Sequence, residues 1–505
     1  MASNPNYCDI TPEIEALAAQ SLKHSSIDPD DYVKYDVKRG LRDLNGKGVL
    51  AGLTEISDIV AKKIVDGKEV PCEGELYYRG INVERLVEGA LKEGRFGFEE
   101  TAYLLLLGRL PNAAELESFQ KQLAYYRTLP NNFVRDIILK APSHDIMNSL
   151  ARSVLNLASY DDQCDDISLP NVMRQCVQLI SLFPMLSVYG YQAYTYKSGS
   201  SLYIHAPRPE LSTAENILSL LRPDSSYSFW EAHVLDICLT LHAEHGGGNN
   251  STFVCRALSS SGTDTYSAIA GAVGSLKGPL HGGANAKVME MFHYIQENVD
   301  PHDDGSIRDY LVRLLDGEAG DRSGKLYGLG HAVYTLSDPR AVLLKKYARH
   351  MAQIKGYEEE FDLLQKVEEL GIPLVQERRH SDTPMCANVD MYSGLVYTML
   401  DIPEDVFTPL FASARIAGWC ANRMEEVITG HRIMRPAYRA VTIRGHYVPM
   451  EERTSRINES GMSQTKGPSA LTERTLRPLL SLSHQVLQPR CRRMFCAARI
   501  SDRSG

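Results

Sequence analysis

A chain of 505 residues with 43% hydrophobic and 23% charged residues is long enough for more than one hydrophobic core, and its make-up is that of an ordinary globular protein. A formal net charge of -9 and a pI near 6.0 count against a nucleic-acid-binding body, although a local arginine cluster can still hold an anion at short range. Ten cysteines run from Cys8 to Cys496 without a CxxC pair, which fits buried thiols in a reducing compartment better than a disulfide framework or a zinc site. The opening residues "MASNPNYCDI" lack a basic region followed by an apolar stretch and turn acidic early for a transit peptide, so a cytoplasmic location is expected.

In chain order, "GELYYRG" from Gly74 alternates like a short strand, a pattern that is sparse elsewhere. "FEETAYLLLLGRLPNAAELESFQKQL" from Phe98 has apolar residues at helical spacing, with Pro111 and Asn112 marking a break and restart. The window Gln175 to Tyr196 carries no charge, but Pro184, Gly190 and three glutamines interrupt it. It reads as a buried or subunit-interface helix, not a membrane span. "DPRAVLLKKYARHMAQI" opens with Asp338 as N-cap and Pro339 at the first helical position. "NVDMYSGLVYTML" and "DVFTPLFASARIAGWCANRMEEVI" also read as helices, so the fold is expected to be mostly α, without internal repeats. From Thr454 to Gly505, nine Lys/Arg stand against three acids amid frequent Ser, Thr, Pro and Gly. This segment is read as a basic, disordered extension; a docking tail, or sequence foreign to the original gene product, are the alternatives.

Several motif-like stretches fail on inspection. "GDRSGKLY" has Leu326 where a P-loop needs Ser or Thr, and Ala319 where it needs its first glycine. "GLGHAV" lacks a third glycine and a preceding strand, and no G-x-S-x-G elbow occurs. "HAEH" spaces His242 and His245 for a shared helix face, but it is not H-E-x-x-H, and no metal site is assigned. Four segments remain that set a titratable or cationic group beside a glycine-rich turn or helix terminus. They are "LHAEHGGGNNSTF" with His245, "LKGPLHGGAN" with His281, "KLYGLGHAVYTLSDPRAV" with His331 and Arg340, and "ANVDMYSGLVY" with Asp390. Spacing alone does not name their reaction.

In combination, "HGGGNNST", "GPLHGGAN", "GLGHAVY…DPRA", "NVDMYSGLVY" and "SARIAGW…RIMRP" closely resemble the citrate synthase family, near its bacterial citrate and 2-methylcitrate branches. "GELYYRGINVERL" and "FEETAYLLLLGRLP" resemble its N-terminal region, and the likeness runs from about Leu41 to Arg453. The resemblance implies a two-domain helical homodimer: a large domain of residues 41–282 and 394–453 and a small one of 283–393. Residues 1–40 and 454–505 would be extensions. It implies condensation of acetyl-CoA with oxaloacetate and hydrolysis of the thioester, the entry to the tricarboxylic acid cycle, with acetyl-CoA as a substrate and no resident cofactor. By the same resemblance Asp390 is the base, His281 donates to the thioester carbonyl, and His331 polarises the ketone. His245, Arg340, Arg415 and Arg435 hold oxaloacetate, Arg435 reaching across from the partner subunit. Leu326, Tyr327, Gly328, Leu329, Gly330 and Lys277 are the implied CoA contacts. Thr335 stands where some members carry a CoA-phosphate arginine, and Lys277, Lys287, Lys325 and Lys345 are the nearby cations.

The chemistry of these residues agrees with such roles. Taking a proton next to a thioester needs a base at carbon and a donor at oxygen together. An Asp at a helix N-terminus is expected to be held as carboxylate by the dipole, and the dipole of "ANAKVMEMFHYI" is expected to keep His281 neutral. Arginine suits a dicarboxylate because its planar fork makes two parallel hydrogen bonds. The alternatives are a 2-methylcitrate synthase using propionyl-CoA, a non-catalytic CoA-binding paralogue, and a metal-dependent hydrolase built on His242, His245 and His281.

Overall fold

The computed structural model describes residues 9–25, 27–43, 46–380, 383–430, 432–442 and 444–453; the basic segment Thr454–Gly505 lies outside them. The chain divides into two compact units, Lys38–Pro436 and a second made of Met1–Val37 with Ala437–Gly505. In the second unit, helices Pro12–His24 and Pro29–Lys34 begin at Thr11 and Asp28, whose side chains accept the N–H groups of Ile14 and Asp30. Every candidate site residue belongs to Lys38–Pro436, and the rest of this description concerns that unit.

The unit is mostly α, as the periodicity predicts. Helix Phe98–Leu107 ends at Gly108 in the left-handed region, and helix Ala113–Tyr126 restarts with a capping box. Asn112 accepts Glu115 N–H at 2.9 Å, and Glu115 accepts Asn112 N–H at 2.9 Å. Each bond satisfies a backbone donor that a helix start otherwise leaves unpaired. The uncharged window lies inside helix Leu169–Lys197, the one helix among the described residues long and apolar enough to cross a membrane. Its most apolar stretch is 83% buried within the molecule, as befits a core helix. It packs on helix Phe407–Thr429: Phe183 meets Trp419 edge-on, and Ser187 Oγ lies 3.1 Å from Ser413 Oγ.

The alternation at "GELYYRG" belongs to strand Lys68–Tyr78, which pairs antiparallel with Ser57–Val65 and with the short strand Ile81–Asn82. Asp66 and Gly67, both at positive φ, make the two-residue turn between the first two strands. The sheet braces the histidine-bearing segments. Tyr78 Oη lies 3.0–3.3 Å from the carbonyls of Thr240, Leu241 and Glu244, at the end of helix Phe229–His242. Gly74 N–H donates to Ser337 Oγ at 3.0 Å.

Gly74 leaves no room for a side chain: a Cβ there would stand 2.2 Å from the Ser337 carbonyl oxygen and 2.6 Å from the Tyr334 ring. Gly74→Ala is therefore expected to destabilise the protein by about 1–3 kcal/mol through overpacking, read as a lower denaturation midpoint. An unchanged midpoint would show that the Ser337 loop yields freely.

Candidate active site

Two buried guanidinium groups define the site. Arg415, on helix Phe407–Thr429, is 0% exposed. Its Nε donates to the His242 carbonyl at 2.7 Å, and its plane lies over the Phe411 ring at 4.7 Å. Both terminal nitrogens are buried without a hydrogen-bond partner. Burial presses this guanidinium down to about 10, against the pull of the Glu244 carboxylate. Arg340, near the start of helix Pro339–Lys355, is 3% exposed and has its own counter-ion. Asp338 grips it through Nε–Oδ1 at 3.0 Å and Nη2–Oδ2 at 2.7 Å, and caps the same helix by accepting Arg340 N–H. One buried cation is thus paired directly and the other is not. Each buried donor left unmade costs about 1–3 kcal/mol, and a carboxylate ligand at Arg415 removes that cost.

His245 and His331 stand beside these cations. Their rings meet edge-on at 5.2 Å, and Tyr334 packs against both. His331 Nδ1 accepts the N–H groups of Val333 and Tyr334, each at 3.0 Å. An accepting Nδ1 carries no hydrogen, so the imidazole proton sits on Nε2; Arg340 Nη2, 3.5 Å away, is itself a donor and makes no hydrogen bond to that tautomer. Burial and the Arg340 charge push His331 down to about 4. The same two causes, in the same order, hold His245 well below the usual imidazole range, and its Nε2 is buried without a partner.

His281 is neutral as expected, but the responsible surroundings differ from the expectation. Its ring meets the N-terminus of helix Asn250–Ser259: Ser251 N–H donates to Nε2 at 3.3 Å, and Ser251 Oγ lies 2.9 Å away. The proton then belongs on Nδ1. Burial first, then the charge of Arg415, brings His281 down to about 4. The sequence places His281 just before helix Ala284–Asn298, yet the turn from Gly278 swings the ring onto another helix.

Asp390 is ionised at neutral pH as expected, but the dipole does not decide its pKa. It is the first residue of helix Asp390–Met399, and a dipole alone would hold its carboxylate low. Burial outweighs that and raises it to about 6, with Arg340 and Arg415 pulling the other way. Its Oδ1 is buried without a partner. Asp390 is tied to His331 through backbone. Gly330 N–H donates to Cys386 O at 2.8 Å and Asn388 N–H to Gly328 O at 2.9 Å, while Asn388 Nδ2 donates to Gly330 O at 3.0 Å. Gly328 and Gly330 both sit at positive φ, and a Cβ on Gly328 would stand 2.8 Å from Met391 Sδ.

Six of the seven proposed catalytic and oxaloacetate residues therefore gather here. Arg435 is exposed, and no described contact joins it to them. Of the implied CoA contacts, Leu326 and Leu329 are buried, and the Tyr327 hydroxyl donates to Asp321 at 2.7 Å. Lys277 forms an ion pair with Asp145. His242 and His245 face different neighbours: His242 Nδ1 bonds the Cys238 carbonyl at 2.7 Å and its ring meets Phe411. Sequence reasoning took Asp338 only as a cap and missed it as the counter-ion, although D-x-R at a helix start places both groups together. It quoted Ser251 within a motif without a role, and no local signal pairs Ser251 with His281.

The family model for the citrate synthase C-terminal domain matches residues 43–437. The citrate synthase of Synechocystis is 36% identical over 403 residues, covering 78% of this chain and 91% of that protein. The 2-methylcitrate synthase of Shewanella oneidensis is 31% identical, covering 72% and 87%. Among solved structures, the ternary complex of Thermoplasma acidophilum citrate synthase with carboxymethyl coenzyme A and oxaloacetate matches with a TM-score of 0.68. That match has 26% identity and covers 83% of this chain and 99% of its own.

Because Arg415 is buried with two unmet donors, Arg415→Met is expected to leave the ligand-free protein no less stable, and up to about 4 kcal/mol more so. The same variant should lose the rise in thermal midpoint that a small dicarboxylate gives the parent protein. A ligand-free loss of about 3–5 kcal/mol would mean that Arg415 is structurally paired.

Proposed function

The chain belongs to the citrate synthase family, and from that premise we propose that it condenses acetyl-CoA with oxaloacetate and hydrolyses the thioester to citrate and CoA. The observation that carries this reading is the uncompensated Arg415 guanidinium beside Arg340, two neutral imidazoles with assigned donor protons, and a carboxyl near 6. Arg340, Arg415 and His245 hold the oxaloacetate carboxylates, and holding both reactants in place removes much of the entropic barrier. Asp390 takes a methyl proton; the C–H electron pair moves toward the thioester oxygen, where His281 Nδ1–H donates. The enol carbon attacks the ketone, which His331 Nε2–H polarises, and the new alkoxide is protonated there. Water then displaces CoA from the citryl thioester. Citrate stands ahead of 2-methylcitrate because the citrate synthase relative is the more similar one, at 36% against 31% identity.

The remaining parts of the reading are proposals of the same kind. A homodimer supplies Arg435 from the partner subunit, which suits an arginine exposed on its own chain. A large domain of residues 41–282 and 394–453 closes on a small one of 283–393. In support, Asn285 Nδ2 donates to Ser393 Oγ at 2.5 Å, so the two chain crossings lie side by side, as at a hinge. The location is cytoplasmic, in keeping with the free thiols of all seven described cysteines.

Free CoA release from acetyl-CoA should require oxaloacetate and should exceed the rate with propionyl-CoA; release without oxaloacetate would refute the condensation. Asp390→Asn should cut kcat by about 10²–10⁴-fold while leaving oxaloacetate binding nearly intact. The pH profile follows from the ionised form of Asp390 being the base. Above pH 6 it is charged, and below that kcat/KM should fall tenfold per unit with an apparent pKa near 6. His281 and His331, pushed to about 4, stay neutral through that limb.

A further inference from the structure

Asn388 stands two residues before Asp390, and its side chain touches the backbone at both the base and the ketone-polarising imidazole. Its Oδ1 accepts Asp390 N–H at 3.0 Å, and its Nδ2 donates to the Gly330 carbonyl at 3.0 Å, joining segments 58 residues apart. Its backbone is engaged as well: Asn388 N–H donates to Gly328 O at 2.9 Å, and its carbonyl accepts Met391 N–H at 3.1 Å. The partners dictate which way the carboxamide faces, because turning it over would set donor against donor and acceptor against acceptor.

Each bond restrains a group that the local structure leaves loose. Asp390 N–H is one of the donors that a helix start cannot pair within the helix, and Asn388 is its one described acceptor. The Gly330 carbonyl belongs to the peptide that leads into His331. Gly330 has a φ of 92°, no Cβ limits rotation there, and among the described residues no other hydrogen bond reaches its oxygen. Few side chains could replace the carboxamide. Aspartate keeps an acceptor for Asp390 N–H but has no donor for Gly330, and serine keeps an acceptor on a side chain one atom shorter.

We propose that Asn388 is a positioning residue for the condensation: its carboxamide fixes the Asp390 carboxyl and the His331 imidazole relative to one another by holding the backbone of both. This rests on the roles given to Asp390 and His331 above. Asn388 touches neither reactant in this scheme and acts only through the two groups that do. The charged groups that act on Asp390 are Arg340 and Asp338 at the start of helix Pro339–Lys355 and Arg415 on helix Phe407–Thr429, with Tyr397 on its own helix. Lys345 and Glu368, from the two helices packed beside Tyr392, pair with each other at 2.7 Å. A substitution at Asn388 leaves all of these in place.

The test compares the parent enzyme with Asn388→Ser and the isosteric Asn388→Asp, reading CoA release from acetyl-CoA and oxaloacetate across pH, and the thermal midpoint. Both variants lose the donor to Gly330, so kcat should fall about tenfold or more while the KM for oxaloacetate stays within about twofold. The two should then part in their pH profiles. Asn388→Asp places a second negative charge beside Asp390, which should move the acid limb of kcat/KM up by about one pH unit. Asn388→Ser adds no charge and should leave that limb where the parent has it. An unchanged kcat in both variants would overturn the proposal. So would a loss of kcat matched by an equal rise in the KM for oxaloacetate and a fall in thermal midpoint, the mark of a residue that only supports the fold. An acid limb in Asn388→Asp that coincides with the parent's would remove Asn388 from the surroundings of Asp390 and overturn it too. Failure of the parent enzyme itself to release CoA would instead overturn the reading beneath it.

Discussion

Two guanidinium groups are buried in one site, and only one has a carboxylate in direct contact. Asp338 neutralises Arg340 through a two-pronged bridge. The carboxylate behind Arg415, Glu244, is instead occupied by Ser57 Oγ at 3.2 Å and Asn422 Nδ2 at 3.0 Å. A buried charge without a partner is costly, so the fold holds Arg415 where a ligand anion would complete its hydrogen bonds. The neighbouring ionisations follow from that excess of positive charge combined with burial. His245, His281 and His331 are all driven toward the neutral form, with burial the larger cause and arginine charge the next.

Maintaining this arrangement depends on backbone more than on side-chain packing. Residues Gly328 to Gly330 and Cys386 to Asn388 form a short ladder that sets His331 and Asp390 at its two ends. Left-handed Gly328 allows the chain to approach Met391 at a distance that excludes any side chain. On the other flank, Gly418 N–H donates to the Ala243 carbonyl, and a Cβ at Gly418 would come within 2.3 Å of both that oxygen and Glu244 Oε2. Helix Phe407–Thr429 thereby seats Arg415 against the turn that carries His245. Both flanks thus depend on glycines that let two chain segments touch.

These dependencies explain what was readable in the chain. Helical periodicity, the Asn112 restart and the Asp338 cap are local, and each appears where the pattern places it. The strand Ser57–Val65 was missed because its lysine-rich, half-exposed alternation is weak until Lys68–Tyr78 pairs with it. The residue types of the site were legible through five ordered motifs. The causes of their ionisation were not, because these are burial and distant charges. Asp390 looked like a dipole-held carboxylate from its helix position; it is ionised at pH 7, but tertiary burial raises its pKa to about 6 where the dipole alone would lower it. His281 looked bound to the helix that follows it, but its ring finds Ser251, thirty residues upstream.

The pattern of ionisation also bears on how acid and base chemistry share one cavity. If His281 or His331 were protonated at neutral pH, a further positive charge would stand beside Arg340 and Arg415. Each imidazole would then have to shed its accepting nitrogen, breaking the bonds from Ser251 N–H or from Val333 and Tyr334 N–H. Neutrality therefore keeps both donor protons on the nitrogens left free for substrate. Asp390 lies on the opposite side of the balance, since burial raises it while the same arginines restrain the rise. A carboxyl near 6 is ionised at pH 7 yet more basic than an exposed aspartate, which suits proton removal from carbon. The arginines assigned by the proposed function to one reactant thus also restrain the proton affinity of the carboxyl assigned to activating the other.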